Sequence, residues 1–262
     1  MATSSRSAGG KTPIIARSLP TVQAPAWRRE LAAGFASLHD LLHYLQWEES
    51  LIQAQSPTDY GFRLRVPQGY AARMAKGDPR DPLLRQVLPS PAEAVPVAGF
   101  GEDPVGDRSA LRGTGVLHKY HGRALVVTTG ACAIHCRYCF RRHFPYADFG
   151  LRPAQWRELV LGLASDRSIT EVILSGGDPL MLDDQRLAAM AADLARVPHL
   201  RRLRVHSRLV GLLPSRITPE FVHWLAGNRL RPVLVLHFNH PRELDPKLAE
   251  VSTNSSATVS NC

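Results

Sequence analysis

The second half of the chain alternates short apolar runs with amphipathic segments, and this pattern restricts the fold more than any other feature. The apolar runs have the length of buried strands, and the segments between them carry apolar residues at helical spacing. Strands and helices in alternation predict a parallel sheet with right-handed crossovers, hence an α/β fold. The predicted strands span residues 124–129, 172–174, 203–206 and 233–238, and the predicted helices span 156–164, 186–194 and 219–226.

The region before this alternation has a different character. Between Trp27 and Trp47 apolar residues recur at helical spacing, with Ser37 and Asp40 as a candidate helix cap. Residues 55–115 are rich in Pro, Gly and charged residues, which predicts brief helices joined by long loops. The predicted divisions are a disordered leader at 1–24, a helical and loop N-terminal subdomain at 25–115, an α/β core at 116–250 and an atypical polar tail at 251–262.

The charge balance and hydropathy narrow the expected partners. The formal net charge of +9, from 32 Lys and Arg against 23 Asp and Glu, favours an anionic partner. The arginines are scattered, however, and no Lys/Arg-rich block marks a polybasic patch, so no nucleic-acid partner is expected. No stretch has the ~18 uninterrupted apolar residues of a membrane span, and the N-terminus has no apolar signal core. A cytoplasmic protein without a membrane partner is therefore expected.

Three of the four cysteines are crowded into the segment GACAIHCRYCF, directly after a predicted strand. Cys132, Cys136 and Cys139 have the spacing C-x3-C-x2-C, which differs from the spread-out pairs of a disulfide framework and suggests a metal site. Three thiolates on one short loop can hold one face of a [4Fe–4S] cluster, which normally takes four. The remaining iron is then open to another ligand, and S-adenosylmethionine (SAM) can chelate it through its amino and carboxylate groups.

Two alternatives to a cluster arise from the same segment. One is a structural zinc site that also uses His135, and the other is a group of free thiols. Zinc sites more often combine two C-x2-C pairs, or one such pair with H-x3–5-H, and the sequence contains no second pair. The spacing therefore favours the cluster. Cys262, the last residue, is expected to be an unpaired surface thiol.

Four ordered motifs together resemble one enzyme family. CAIHCRYCFRR, SGGDPL, RVHSRLVGLLPSRIT and LHFNHPREL are similar to segments of the lysine 2,3-aminomutase family of radical SAM enzymes, and the resemblance extends over roughly residues 27–250. It implies a partial (β/α) barrel of the radical SAM type. It also implies an isomerase that converts L-lysine to β-lysine by a radical 1,2-amino shift, using a [4Fe–4S] cluster, SAM and pyridoxal phosphate.

The resemblance also implies partners. Within the family, the sequence is most similar to bacterial members that make β-lysine for the modification of translation elongation factor P. A functional link to that factor is therefore expected, without direct contact being implied. An electron donor such as flavodoxin or ferredoxin is expected to reduce the cluster.

The resemblance assigns roles to residues near the cysteines. Arg141 matches the arginine that pairs with the substrate carboxylate, a task suited to a planar bidentate donor. Its plain alternative is a solvated surface arginine. Tyr138 matches a position near the adenine of SAM, and a core aromatic is its alternative. Arg123 matches an arginine that contacts pyridoxal phosphate, and Lys119 is a weaker candidate for the same neighbourhood.

The strand ends supply the remaining candidates, because ligands of parallel sheets bind where the strands end. The SGGD loop matches the segment that holds the methionine amino group of SAM, although an ordinary turn with Asp178 as a cap would use the same residues. Each histidine taken alone is more typical of a satisfied structural residue. The candidates at these ends are Ser175, Gly176, Gly177, Asp178, His206, Ser207, Arg208, His237 and Asn239.

The chain departs from the family after LHFNHPREL. Family members continue through further β/α units and a segment with the lysine that forms a Schiff base with pyridoxal phosphate. Here the last residues, VSTNSSATVSNC, become Ser/Thr/Asn-rich, and the context of Lys247 does not match that lysine. The hypothesis from sequence is a truncated or frameshifted product whose open sheet edge favours aggregation or pairing with another chain.

This departure leaves other functions open. Cluster and SAM binding depend mainly on the portion present, whereas the acids that bind the distal amino group of the substrate lie beyond it. The alternatives are another radical SAM reaction on the same scaffold, a catalytically impaired fragment that binds the cluster and SAM, and a non-catalytic metal or nucleic-acid binding module.

Overall fold

A computed structural model of the chain describes residues 24–54, 63–113, 115–149 and 151–244. The predicted leader before residue 24, the polar tail, Lys247 and Cys262 lie outside these ranges. In the described part of the chain, no helix combines the length and the apolar character that a bilayer span requires.

The N-terminal region contains short helices, as predicted. The helical pattern that begins at Trp27 is divided between two helices. Between them Gly34 lies against the backbone of Val66, since a Cβ added there would be 2.8 Å from the Val66 carbonyl oxygen. The predicted cap is present, since the Ser37 hydroxyl accepts a hydrogen bond from the Asp40 amide at 3.3 Å. The helices are α1 (Ala26–Ala32), α2 (Leu38–Tyr44), α3 (Glu49–Ala54) and α4 (Gln68–Ala71).

A six-stranded sheet forms the body of the fold, with the strands side by side in chain order. The first three strands pair antiparallel, and the last four, starting from the third, pair parallel. This confirms the predicted α/β fold and the four predicted parallel strands. The strands are β1 (Leu111–Arg112), β2 (Val116–Tyr120), β3 (Arg123–Thr129), β4 (Glu171–Gly176), β5 (Arg202–Ser207) and β6 (Arg231–Leu236).

Helices connect the parallel strands, and together they form a partial β/α barrel. Side-chain caps set where two of them begin: Asp183 accepts from the Arg186 amide at 2.7 Å, and Thr218 accepts from the Phe221 amide at 3.1 Å. These helices are α5 (Pro153–Ser165), α6 (Asp184–Ala195), α7 (Leu209–Leu212) and α8 (Pro219–Ala226). Short 3-10 helices span Leu84–Gln86, Pro91–Ala94, Tyr146–Phe149, Pro179–Met181, Pro214–Arg216 and Pro241–Glu243.

The N-terminal helices and the sheet share one apolar core, which includes Trp27, Tyr70 and Leu174. A buried charge joins the two regions. Arg216 is fully buried, pairs with Asp184 at 2.8 Å, and lies over the Trp27 ring with its guanidinium carbon 5.1 Å from the ring centroid. The N-terminal region is therefore packed against the barrel, where it also reaches the carboxyl ends of the strands.

Candidate active site

A cavity of about 300 Å³ opens at the carboxyl ends of the parallel strands. The loop after β3 forms one wall, and the ends of β4, β5 and β6 form the others. Most of the predicted site residues meet here. Those in the cavity wall are Cys132, Cys136, Tyr138, Cys139, Arg141, Ser175, Gly176, Gly177, Asp178, His206, Ser207, Arg208, His237 and Asn239.

The three cysteines lie in the cavity wall as partly buried free thiols. In the described part of the chain, no three His, Cys, Asp or Glu side chains converge to hold a single metal ion. In a [4Fe–4S] cluster each thiolate binds a different iron, so three cysteines on one loop of the cavity wall could serve as its ligands. His135, the other ligand of the zinc alternative, instead directs Nδ1 to the backbone carbonyl of Arg63.

Burial governs the electrostatics of these thiols. It raises the pKa of the Cys132 thiol well above its usual range, and Asp178 and the neighbouring cysteines add to the effect. Burial likewise raises the pKa of the Cys139 thiol. A cationic metal centre that takes these sulfurs as thiolates therefore has to displace their protons.

The SGGD loop lies directly against the cysteine loop because two glycines permit close backbone contact. Gly176 has φ of +123°, which disfavours side chains, and a Cβ on Gly177 would be 2.5 Å from the Ala131 carbonyl oxygen. The Gly177 amide donates to the Thr129 carbonyl at 2.7 Å, and the Asp178 amide donates to that of Ala131 at 2.8 Å. The two loops therefore form one unit.

Asp178 organises the ends of β4 and β5. Its carboxylate caps the 3-10 helix after it through the Leu180 amide at 3.0 Å, as the turn alternative predicts. It also accepts from the Ser207 hydroxyl at 2.9 Å and from the amides of Arg208 and Leu209 at 2.8 and 2.9 Å. Burial raises the pKa of this carboxyl group despite these donors. The side chains of Asp178 and Ser207 are thus committed to each other and to the backbone.

Arg141 is buried in the cavity wall and is not the solvated surface arginine of the alternative interpretation. Its Nε donates to Asp107 at 2.7 Å, and its Nη1 donates to the Ser175 hydroxyl at 3.2 Å. Asp107 also pairs with Lys119 at 2.5 Å. Burial opposes ionisation of Asp107, but the hydrogen bonds from Lys119 and Arg141 outweigh it and lower its pKa. Asp107, which sequence reasoning missed, therefore orients the guanidinium as an anion.

Arg208 places a second buried guanidinium beside the cysteines. Its Nη1 donates to Cys136 Sγ and, at 2.6 Å, to the Tyr138 hydroxyl. Its Nη2 donates to Gln86 at 2.6 Å and to the buried Glu243 at 3.2 Å. Sequence reasoning missed both Gln86 and Glu243. Among the described atoms, the buried Nε has no hydrogen-bond partner. A donor of this kind suits an anionic group of a ligand.

Two aromatic side chains line the cavity without being core residues. Tyr138 is 52% exposed and Phe140 is 49% exposed, so the core-aromatic interpretation of Tyr138 is wrong. The Tyr138 hydroxyl accepts from the side-chain amide of Asn239 as well as from Arg208. Half-exposed rings beside a cavity present faces on which a flat heteroaromatic group can stack. Phe140 was not singled out from the sequence.

His206 contributes an unsatisfied ring nitrogen. Its buried Nε2 has no hydrogen-bond partner among the described atoms, and its ring centroid is 5.7 Å from that of His237. Burial lowers the pKa of His206 to about 4, with His237 and nearby arginines adding to the effect. The imidazole is therefore neutral at pH 7. Because its buried Nε2 has no described hydrogen-bond partner, His206 differs from a satisfied structural histidine.

Arg123 and Lys119 do not belong to the cavity wall. Arg123 begins β3, four residues or about 13 Å along the strand from Val127, which pairs with Ser175. It pairs with the buried Glu171 at 3.6 Å. Glu171 also binds Arg202 and Arg204, at 2.9 and 2.5 Å. The structure therefore separates Arg123 from the cysteines and places it in an arginine cluster at the opposite end of the sheet.

Comparison with known proteins agrees with this geometry. Residues 126–241 match the radical SAM superfamily. The chain is 43% identical over 230 residues to an L-lysine 2,3-aminomutase of Escherichia coli (strain K12), an alignment that covers 87% of this chain and 67% of that protein. It is 45% identical over 196 residues to the enzyme of the same name from Haemophilus influenzae, covering 75% of this chain and 58% of that protein.

A more distant relative shows the same relation. The chain is 30% identical over 220 residues to the L-lysine 2,3-aminomutase of Clostridium subterminale, covering 83% of this chain and 52% of that protein. The chain thus spans about half to two thirds of the length of these three relatives.

Proposed function

The chain belongs to the L-lysine 2,3-aminomutase family of the radical SAM superfamily, and we propose that it converts L-lysine to β-lysine with a [4Fe–4S] cluster and SAM. The observation that carries the proposal is the meeting of three cysteines, two buried arginines and two half-exposed aromatic rings in one cavity. When bound, the cluster and SAM supply a carbon-centred radical by one-electron cleavage of the sulfonium.

The cavity wall offers partners for each part of SAM. Cys132, Cys136 and Cys139 hold three irons in this proposal and leave the fourth to the methionine end of SAM. The unpartnered Nε of Arg208 suits the methionine carboxylate, and the exposed face of Tyr138 suits the adenine. Asp178 acts indirectly, by fixing Ser207 and the Arg208 backbone.

Arg141 is the proposed partner of the substrate carboxylate. Its guanidinium is buried, and Asp107 and Ser175 hold its orientation, so little rotational freedom is left to lose when the substrate binds. The neutral His206 lines the same cavity as Arg141 and Ser175. It adds a hydrogen-bonding group without adding charge.

Pyridoxal phosphate is proposed on the family resemblance, which implies Arg123 as a contact of this cofactor. Arg123 lies about 13 Å along β3 from the cavity wall, where it pairs with the buried Glu171. When bound, this cofactor stabilises the migrating nitrogen. This cofactor would need a lysine for its Schiff base. Lys247, the lysine nearest the end of the sequence, lies outside the described residues, and we propose no residue for this role.

The proposal also includes a setting and partners. A reducing compartment such as the cytoplasm keeps three neighbouring thiols unpaired. Reduction of the cluster needs a one-electron donor such as flavodoxin or ferredoxin, and the net charge of +9 favours an acidic donor. The functional link to elongation factor P rests on sequence resemblance to the bacterial proteins that supply β-lysine for it.

One observation favours a second candidate, a radical SAM reaction on another amino acid. Among the described residues that line the cavity, the acidic side chain is Asp178, and its carboxylate is committed to Ser207 and to backbone amides. The distal ammonium of lysine therefore has no free carboxylate in this part of the wall. A substrate without a distal ammonium would not need one.

Anaerobic turnover distinguishes the two candidates. The reconstituted protein is supplied with SAM, pyridoxal phosphate, a reductant and L-lysine, and β-lysine and 5′-deoxyadenosine are measured by mass spectrometry. We expect lysine-dependent formation of both, and neither from the Cys136→Ala variant. Deoxyadenosine that responds to another amino acid would favour the second candidate. No product from a cluster-loaded chain would contradict catalysis by this chain.

A further inference from the structure

Glu93 contacts the cysteine loop from outside the barrel. It lies in the 3-10 helix Pro91–Ala94 and accepts hydrogen bonds from two arginines of the loop. Arg137, next to Cys136, donates through Nε at 2.9 Å and also through Nη2. Arg142, three residues after Cys139, donates through Nη1. One carboxylate therefore joins the two ends of residues 137–142, the segment that carries Cys139 and begins directly after Cys136.

These charges are shielded from solvent. The side chains of Arg137, Arg142 and Glu93 are 8%, 11% and 17% exposed. Breaking a buried ion pair by removing one partner costs far more than breaking an exposed pair, because a desolvated charge is left behind. The Glu93 contacts are therefore placed to affect the loop strongly.

Glu93 is itself held in place, as is the loop beside it. The Ser90 amide donates to Glu93 Oε1 at 2.9 Å, and the Ser90 hydroxyl accepts from the Ala92 amide, so the two residues form a capping box. The Arg137 amide donates to the Gln86 carbonyl at 2.8 Å. Two points on the N-terminal region thus brace the cysteine loop.

The Glu93 carboxylate also contributes to the net charge near Cys136 and Cys139, through its pairs with Arg137 and Arg142. With Glu93 ionised, its negative charge faces the guanidinium groups of Arg137 and Arg142. With glutamine in its place, the local charge rises by one unit. Reduction adds an electron to the cluster, so extra positive charge nearby favours the reduced state. Removal of the carboxylate therefore shifts the reduction potential in the positive direction.

We propose that Glu93 is a positioning residue for the cluster, which fixes the cysteine loop through Arg137 and Arg142 and keeps the reduction potential of the cluster low. This inference rests on the proposed cluster at Cys132, Cys136 and Cys139. Glu93 acts through the two arginines, without contact to the substrate being required.

The test uses the full chain as wild type, E93Q and E93D, each reconstituted anaerobically. Iron loss to a chelator is followed by absorbance, and the midpoint potential is measured by an EPR-monitored redox titration. We expect roughly 10-fold faster iron loss from E93Q and a midpoint potential shifted in the positive direction. E93D, which retains the charge, is expected to remain close to wild type.

The matched control is E102Q, which removes the charge of a Glu–Arg pair that is exposed: Glu102 lies 3.3 Å from Arg108 and its side chain is 64% exposed. It is expected to match wild type in both measurements. A cluster in the wild-type protein with no change in E93Q would overturn this inference and leave the proposed function standing. No cluster in the wild-type protein would instead count against the proposed function.

A second variant keeps the test decisive if E93Q folds too poorly to be loaded. Arg142→Gln removes positive charge instead of negative charge, and is expected to shift the midpoint potential in the negative direction. An unchanged or positively shifted potential in this variant would contradict the role of charge balance.

Discussion

Replacing Arg141 by methionine is expected to lower kcat/KM for lysine by about 10²- to 10³-fold while cluster content stays at the wild-type level. The guanidinium is the buried cation proposed to meet the substrate carboxylate, and Asp107 and Ser175 fix its orientation. Methionine keeps the volume but removes the donors, and it leaves Asp107 with Lys119 as its remaining cationic partner among the described ion pairs. Both effects oppose binding of a carboxylate.

Steady-state formation of β-lysine measures this effect, with iron content determined on the same preparation. Arg141→Lys is expected to be less severe because it keeps the charge and loses the bidentate fork. The matched control is Arg196→Met, since Arg196 is 77% exposed and pairs with Asp193 on the surface. Near-wild-type turnover by Arg141→Met would show that the substrate carboxylate binds elsewhere.

Replacing Asp178 by alanine is expected to lower the free energy of unfolding by about 3–5 kcal/mol. The buried carboxylate accepts from the Ser207 hydroxyl and from the amides of Leu180, Arg208 and Leu209. Alanine removes the carboxylate acceptor of the Ser207 hydroxyl and of the Leu180 and Arg208 amides in a buried position, whereas the Leu209 amide still donates to the Ser207 hydroxyl oxygen at 3.0 Å. The expected loss exceeds that of an exposed helix cap because the desolvated donors have no access to water.

Urea unfolding of the apoprotein, followed by circular dichroism, gives this quantity from the midpoint and slope. Asp178→Asn retains one acceptor oxygen and is expected to lose less. Asp183→Ala, which removes the exposed cap of α6, is expected to cost about 1 kcal/mol. If Asp178→Ala costs no more than Asp183→Ala, Asp178 does not hold the ends of β4 and β5 together.

Much of the fold could be predicted from sequence because the signals are local. Three of the four parallel strands contain short apolar runs, β5 alternates buried Leu203 and Val205 with polar residues, and each strand overlaps its predicted range. The start of α5 lies three residues before the prediction, at Pro153, because a proline at the first helical position is not part of an apolar pattern. β1 and β2 were missed, since the first has two residues and the second ends in polar ones.

The residues of the candidate site also differ in how far local sequence signals predict them. The cysteine loop and the SGGD loop follow strands directly, so chain order alone predicted that they meet. Asp107, Gln86, Glu93 and Glu243 come from loop-rich segments with no periodic pattern, and only the tertiary fold brings them to the cavity or the cysteine loop. Arg123 shows the converse: it precedes a motif in sequence, yet the length of β3 separates it from the cavity.

The central claim is that the three cysteines hold a [4Fe–4S] cluster with one iron open to SAM. EPR of the anaerobically reconstituted, reduced protein with and without SAM tests it most directly, with a Cys132, Cys136, Cys139 triple-alanine variant as control. The account predicts a [4Fe–4S]⁺ signal that changes when SAM is added and is missing from the control. A wild-type protein that assembles no cluster, or a signal that SAM leaves unchanged, would contradict it.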